Sequence, residues 1–248
     1  MKKTATALLT VIATAALVGT AIAGPWFAKG DYYCGPGCWN NDGGNEMFDD
    51  GLHGDGAAGD LVFAGTVVAD QAGGRKEFKI ALADWSESYY PWCNLWVHIA
   101  GPGDPVKFTL DRNTYSDGWL PASNIVWSDH FAPPGTTFEV IGGAPETGGW
   151  TSGVAASLTG CVWSKTVNVA APGSYEAKFR ATGTWDVCNI GSEGAAAPCG
   201  ANLAYTTTMA NSDVLFEFDQ CTGRARVTVG NPTPTKARSW GELKTLYR

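Results

Sequence analysis

The sequence lacks the short motifs that mark many catalytic sites. It contains no G-x-S-x-G, H-E-x-x-H or P-loop pattern. Its three histidines are scattered and it has no C-x-x-C pair, so the residue types do not favour a zinc site. Paired carboxylates are a route to glycoside hydrolysis, but the small modules inferred below leave little room for a cleft. We therefore predict a protein that is not an enzyme.

Positive charge is also scarce, with 17 basic against 24 acidic residues. Without the first 23 residues, which include Lys2 and Lys3, the count is 15 basic against 24 acidic, a net charge of −9. A chain this acidic has no electrostatic footprint for nucleic acid or for an anionic lipid surface. We expect neutral partners and no nucleic acid.

No apolar run after residue 23 is long enough to span a bilayer. Residues 1–23 begin with Lys2 and Lys3, continue as an apolar stretch, and end in Ala21-Ile22-Ala23. This pattern is typical of a secretory signal peptide; a membrane-anchor helix is the alternative. We predict a secreted, periplasmic or cell-surface protein with no membrane span.

Cysteine usage fits an oxidising compartment. The spacing suggests three pairs, Cys34 with Cys38, Cys161 with Cys221, and Cys188 with Cys199, while Cys93 completes the seven. Because connectivity does not follow from sequence, these pairs are hypotheses. The odd count predicts that at least one cysteine is free or forms an intermolecular disulfide.

The chain repeats itself. Residues 72–85, with Gly74, Glu77 and Lys79, align with residues 171–185, and the openings 27–39 and 138–150 correspond as well. Alternation of apolar and polar residues, as in Tyr175–Ala181, predicts β-strands in both copies. Further strands are predicted at 61–68, 95–100, 106–110, 162–169, 203–209, 214–218 and 225–229. Short antiparallel strands at this spacing indicate an all-β protein of two tandem β-sandwiches.

Turn-rich segments set the predicted boundaries. We place module 1 at residues 24–132 and module 2 at 133–230, with Pro133-Pro134-Gly135 as a short linker. Residues 231–248 form a linker and C-terminal tail of different composition. The tail is either a frayed end or a docking signal for surface attachment.

The repeated glycine turn, Lys-containing strand, Trp and later Asn resemble the glycogen- and starch-binding modules of pullulanases, branching enzymes and the AMP-activated kinase β subunit. Residues 173–185 are the closer match. The resemblance implies tandem immunoglobulin-like antiparallel β-sandwiches that bind an α-glucan. Its sugar-binding residues map to Trp39, Lys79, Trp85 and Asn94 in module 1, and to Trp150, Lys178, Trp185 and Asn202 in module 2.

The residue types also make chemical sense without the family. An indole face matches the C–H patch of a pyranose, and Lys and Asn donate to hydroxyls. Lys79 and Lys178 have the parity opposite to the core residues, so we expect them to face solvent. The alternative is that the tryptophans belong to the core. Module 1 departs from the pattern at Ala83-Asp84-Trp85 and is crowded by further aromatics, Tyr89, Tyr90, Trp92 and Trp96.

A glycine-rich loop carries the acids Asp49, Asp50, Asp55 and Asp60. Hard oxygen ligands on a flexible loop suit Ca²⁺, although the spacing is not that of an EF-hand. The favoured alternative is a run of turns in which the carboxylates bind local backbone amides. We expect no cofactor other than this candidate calcium ion.

Two functions from different classes follow. The first is a non-catalytic, exported carbohydrate-binding protein that grips a polysaccharide with aromatic platforms on two modules. The second is a structural or assembly protein of the cell surface without a glycan site. Burial discriminates between them, because a sugar platform needs Trp85 and Trp185 in solvent. A calcium-dependent adhesive module is a third candidate.

Overall fold

The computed structural model of the chain describes residues 25–35, 39–41, 43–90, 92–195 and 200–230. These residues form sixteen β-strands and one short 3-10 helix, Pro145–Thr147, and no α-helix occurs among them. The strands pair antiparallel throughout the described residues. The predicted all-β class is confirmed. The predicted signal peptide, residues 1–23, and the predicted linker and tail, residues 231–248, lie outside the described residues.

The strands of the first half form two sheets around one core. Their bounds are β1 Trp26–Gly30, β2 Glu46–Met47, β3 Val62–Val68, β4 Gly74–Leu82, β5 Leu95–Ile99, β6 Pro105–Thr114 and β7 Ser123–Ser128. The sheets have the orders β2-β1-β4-β5 and β3-β6-β7. Buried side chains from both sheets, such as Phe78 on β4 and Phe108 on β6, meet in one apolar cluster.

The second half has the same two-sheet arrangement. Its strands are β8 Phe138–Gly142, β9 Val154–Ala155, β10 Ser157–Thr159, β11 Val162–Val169, β12 Gly173–Ala181, β13 Asn189–Ile190, β14 Leu203–Thr207, β15 Ser212–Asp219 and β16 Arg224–Gly230. One sheet has the order β10-β11-β15-β16; in the other, β12 is central, with β8 and β9 on one side and β13 and β14 on the other. A second core cluster lies between the sheets.

The alternation read from the sequence explains this core. On β12, Ala177, Phe179 and Ala181 are buried in the second cluster, because residues two apart share a face of the sheet. On β15, Val214, Phe216 and Phe218 do the same. The strands predicted at 162–169 and 203–209 are found at Val162–Val169 and Leu203–Thr207.

The two halves are joined by hydrogen bonds at several points. Leu120 and Ala225 exchange backbone hydrogen bonds of 2.7 and 2.8 Å. Beside them, the Arg224 guanidinium donates to both carboxylate oxygens of Asp117 at 2.9 and 2.8 Å. The Trp127 indole N–H donates to the Gln220 carbonyl at 3.0 Å. The named strands of each half otherwise pair among themselves, and the division into modules at residue 133 stays a prediction.

The disulfide between Cys161 and Cys221 is confirmed. It joins the start of β11 to the turn between β15 and β16. Cys34 is also disulfide-bonded, but Cys38, its predicted partner, lies outside the described residues. That pairing therefore stays a prediction.

The predicted bond between Cys188 and Cys199 is wrong, because Cys188 is a free thiol. Its side chain is 2 % exposed and packs in the second core cluster. Burial raises the pKa of this thiol to about 12. Cys188 therefore serves as a small core residue, and it offers no accessible thiol for a disulfide between chains.

In each half, the glycine that ends the first strand lies where two strands approach closely. A Cβ on Gly30 would lie 2.3 Å from the Glu77 carbonyl oxygen, and one on Gly142 would lie 2.4 Å from the Glu176 carbonyl oxygen. Both glycines end the first strand of their half and face the same position of its central strand. A side chain at either site would push the two strands apart.

We expect Gly30→Ala to lower the free energy of unfolding by about 1–3 kcal/mol, the usual cost of overpacking. Gly56→Ala is the matched control, because no atom lies within 4 Å of its added Cβ. Denaturant titration of both variants measures the difference. Equal stability of the two variants would contradict this account of the β1–β4 approach.

His130, close to the junction between the halves, lies between two carboxylates. Its Nδ1 is 2.5 Å from Asp129 Oδ1, and its Nε2 is 3.3 Å from Asp104 Oδ1. The hydrogen bond to Asp129 and the negative charges of both aspartates raise the pKa of His130, against the opposing effect of burial. The backbone carbonyl of His130 also accepts the His98 N–H. Through its ring and its carbonyl, His130 therefore connects the ends of β5, β6 and β7.

This raised pKa predicts a pH-dependent contribution to stability. The contribution is fully present below the unfolded pKa, about 6.5, and is lost as the pH rises through the higher folded pKa. His130→Gln should therefore destabilise the protein most at pH 5–6 and progressively less at higher pH. Unfolding free energies of both proteins between pH 5 and 9 provide the test, and a pH-independent difference would refute it.

Candidate functional site

The predicted site residues cluster on the outer faces of the two central strands, β4 and β12. Side chains two apart share a face, so Glu77 and Lys79 share one outer face, and Glu176, Lys178 and Arg180 share the other. The segments that follow these strands fold back over this face in both halves. The candidate site is therefore an outer sheet face together with its covering loop.

Lys178 does not face solvent, contrary to the expectation from its parity. It is 8 % exposed, and its ammonium donates to Asn189 Oδ1 at 2.9 Å and to the Gly200 carbonyl at 2.6 Å. Burial lowers the pKa of Lys178, and the charge of Glu193 partly offsets this. The loop that follows β12 covers the sheet face here, which periodicity alone could not reveal.

Lys79 is held in the same way in the first half. Its ammonium donates to the carbonyls of Tyr90 and Cys93 at 2.7 and 3.0 Å, and burial lowers its pKa. Both lysines thus anchor the loop that follows the central strand. The third N–H of each is the only donor that these bonds leave over.

The two predicted asparagines also make equivalent contacts. Asn94 Nδ2 donates to Glu77 Oε2 at 2.7 Å, and Asn202 Nδ2 donates to Glu176 Oε2 at 2.8 Å. Each pair joins the central strand to its neighbour. The glutamates were visible in the sequence as matching positions of the two halves, but that match did not reveal their role.

Trp85 lies on a buried cation that sequence reasoning missed. Lys29, on β1, is fully buried and donates to the carbonyls of Leu82 and Ala83 at 2.9 and 3.1 Å. Its ammonium lies 4.2 Å from the Trp85 ring centroid, within the range of a cation–π interaction. Burial lowers the pKa of Lys29, and the charge of Asp84 opposes this shift.

Trp39 and Trp85 are brought together as predicted partners of one site. Their ring centroids are 6.2 Å apart with an interplanar angle of 41°. Trp85 is 41 % exposed, and its φ of 63° is an outlier for a bulky residue. The two indoles and the nearby Asn41, which donates to the Ala83 carbonyl, form an aromatic corner open to solvent.

Trp185 rests on a second buried cation. The Arg180 guanidinium lies 4.7 Å from its ring centroid, and Arg180 Nε donates to Glu139 Oε1 at 2.7 Å. Arg180 is 7 % exposed, whereas Trp185 is 37 % exposed. The indole therefore covers a neutralised ion pair and keeps part of its surface in water.

Trp150 lies beside an open groove of about 940 Å³. The lining residues include Gly143, Ser174, Glu176, Ala204 and Thr206. Trp150 is 37 % exposed and has a φ of 65°. The groove combines one indole with a carboxylate that already holds Asn202.

Trp150 and Trp185 therefore lie at two different positions along the outer face of β12 in the second half. Trp150 lies at the level of Glu176, and Trp185 lies over Arg180, four positions further along β12. Four residues of a strand span about 13 Å. Trp150 lines one groove with Glu176, the partner of Asn202, whereas Lys178 lies between the two positions, is covered by the loop and does not line the groove.

The neighbouring aromatic residues of the first half differ in their burial and in the contacts that they make. Tyr90 is buried in the core cluster and its hydroxyl donates to the Glu193 carbonyl of the second half. Trp96 lies under the Arg75 guanidinium, 4.1 Å away, and Arg75 donates to the Asp186 carbonyl. Trp92 is 64 % exposed. The second half thus covers part of the outer face that carries Glu77 and Asn94.

The acidic loop gathers three of its four predicted ligands. Oxygens of Asp49, Asp55 and Asp60 lie within 4.8 Å of one another, whereas Asp50 bonds His53 instead. Asp49 accepts backbone N–H groups of residues 59–61, and Asp55 accepts that of Gly51. These are the backbone contacts of the favoured alternative, so Ca²⁺ binding here stays an untested hypothesis.

No protein-family model matches this chain, and no curated protein matches it. Within the described residues, the chain forms no helix with the length and apolarity needed to cross a bilayer.

The buried ammonium of Lys178 generates a stability prediction. Lys178→Met should lower the free energy of unfolding by about 2 kcal/mol, because Asn189 Oδ1 and the Gly200 carbonyl lose their donor. Lys165→Met is the control, since Lys165 is a partly exposed strand residue. Urea titration compares the two, and a loss as small as that of the control would contradict the anchoring role.

Proposed function

We propose that this chain is a non-catalytic, exported protein that binds a neutral polysaccharide, of the α-glucan class, through exposed tryptophan rings. One observation carries the proposal: Trp85, Trp150 and Trp185 present between 37 and 41 % of their surface to solvent. The core of a β-sandwich would bury such large rings. Each lies on the outer face of a sheet, where a sugar chain has access.

The rings are fixed rather than loosely displayed. Lys29 supports Trp85 and Arg180 supports Trp185. A ring held in place loses little conformational entropy when a ligand stacks on it, so more of the stacking energy appears as affinity. The positive φ angles of Trp85 and Trp150 cost of order 1 kcal/mol of backbone strain each. A binding role that requires both rings to face solvent explains why the fold retains this strain.

Polar groups beside the rings supply direction. Next to Trp150, the Glu176 carboxylate keeps oxygen lone pairs beyond those that Asn202 uses, and the groove also presents Ser174 and Thr206. A carboxylate accepts hydrogen bonds from sugar hydroxyls, and a side-chain hydroxyl both donates and accepts them. In this proposal Lys79 and Lys178 position the loops and do not touch the sugar. The glycan-contacting residues of this proposal are Trp39, Trp85, Asn94, Trp150, Trp185 and Asn202, together with Ser174, Glu176 and Thr206 of the groove.

The charges agree with a neutral ligand. The cations nearest the rings, Lys29, Lys178 and Arg180, are all buried and bonded to carbonyl, amide or carboxylate oxygens. None of the three offers a free positive charge to an acidic polysaccharide. Two platforms on one chain would raise avidity if both can engage the same polymer.

The structural alternative has one observation in its favour. Arg75 and His98, on the outer face of the first half, donate to or contact the carbonyls of Asp186 and Val187 at 2.8 Å each. This part of the face is an intramolecular contact, so the first half has less open surface than the second. An assembly role without sugar would leave the groove at Trp150 unused.

Retention on insoluble starch tests the proposal. Replacing Trp150 or Trp185 with Ala should each weaken binding by about 1–2 kcal/mol, roughly tenfold in Kd. The combined change of Trp85, Trp150 and Trp185 should abolish retention. The corresponding Phe variants should keep part of the affinity, because a smaller ring still stacks.

Leu158→Ala is the matched control, since Leu158 is 44 % exposed but lies on β10 in the opposite sheet. Circular dichroism of every variant checks that the fold is intact. Full retention by the folded triple variant would reject the tryptophan platforms and leave the structural alternative.

A further inference from the structure

A cavity of about 410 Å³ lies away from the tryptophan platforms, on the outer face of the sheet β3-β6-β7. The strand register places Val62, Asp111 and Ile125 in one row of this face. The next row contains Thr109 and Trp127. The floor therefore has apolar surface on its outer strands and polar groups on its middle strand.

The outer face becomes a cavity because the second half closes one side of it. The β15–β16 turn contributes Cys221, Thr222 and Arg224 to the lining. This turn packs tightly on the floor: a Cβ on Gly223 would lie 2.4 Å from Trp127 Cδ1. The site is thus built from both halves and is absent from either one alone.

The polar groups of the first half are held in place by short contacts. Lys107 Nζ donates to the Gly54 carbonyl at 2.7 Å and fixes the acidic loop as one wall. The Tyr115 hydroxyl donates to Asp111 Oδ2 at 2.7 Å. Their geometry is set before any ligand arrives, which lowers the entropy cost of binding.

The charges around the cavity are balanced. Arg224 is 7 % exposed and forms a bidentate pair with Asp117, with further bonds to the carbonyls of Trp119 and Pro121. Lys107 and Asp111 both line the cavity floor from β6, and their side chains carry opposite charges. These four charges sum to zero, which favours a neutral, hydrogen-bonding molecule over a ligand with a net charge.

We propose that this cavity binds a neutral monosaccharide or a polyol of similar size. Its volume is near the lower end of the roughly 300–1,000 Å³ found for small-molecule sites, which suits a single sugar ring. Val62, Ile125 and the Trp127 ring offer apolar surface to the C–H groups. Thr109, Asp111 and the remaining N–H groups of Lys107 offer partners to the hydroxyls.

The proposal is independent of polysaccharide binding at the tryptophan platforms. It can be tested by titrating the full chain with glucose, galactose, mannose and glucuronate at millimolar concentration. The readout is the indole Nε1–H resonance of Trp127, assigned with Trp127→Phe. At least one neutral sugar should shift this resonance in a saturable way, with glucuronate binding more weakly.

Blocking the cavity should remove this binding. Thr109→Trp places an indole on the floor and should weaken binding at least about tenfold; Thr222→Trp, at the exposed turn, is a second blocking variant if the first fails to fold. Met209→Ala, at an exposed position near the opposite end of β15 from the lining turn, should leave the monosaccharide affinity unchanged. No shift with any of the three neutral sugars, tighter binding of glucuronate, or undiminished affinity in a folded blocked variant would each overturn the assignment.

Discussion

Buried ammonium and guanidinium groups on outer sheet faces are the constraint on which the rest of the structure depends. Lys29, Lys79, Lys178 and Arg180 lie where a β-sandwich normally meets water, yet Lys29 and Lys178 are almost completely enclosed. A buried cation without partners is costly, so its N–H groups must be satisfied by protein oxygens. The loop carbonyls after β4 and β12 meet this need.

This requirement determines where the tryptophans lie. Because its carbonyls are hydrogen-bonded to a lysine ammonium, each loop is held against the sheet. The residues between these hydrogen bonds therefore have a fixed position. Trp85 and Trp185 follow β4 and β12 directly and rest on Lys29 and Arg180. Rings that face water while their backs contact cations are the arrangement on which the proposed polysaccharide binding relies.

Much of the fold could be predicted because period-two alternation is a local signal. Phe179 and Phe216 were assignable to the core from their neighbours in sequence alone, and both are fully buried. The Cys161–Cys221 pair followed from plausible spacing. The covering of Lys178 could not be predicted, because it depends on a loop 22 residues away in sequence returning to the sheet, as the bond to Gly200 shows.

The predicted disulfide between Cys188 and Cys199 was wrong for a related reason. Its spacing to Cys199 suited a disulfide, but residue 188 points into the apolar core, and spacing carries no information on side-chain direction. The pairing of Glu77 with Asn94 and of Glu176 with Asn202 shows the opposite case. Both members matched between the halves in sequence, and only the strand register turned that match into a contact.

The central claim is that Trp85, Trp150 and Trp185 contact a glucan. Titration of the ¹⁵N-labelled chain with soluble maltoheptaose tests it most directly, with the indole N–H resonances as reporters. The account predicts saturable shifts for these three rings and none for Trp26, which is fully buried. Unchanged resonances of all three exposed rings at saturating oligosaccharide would contradict it.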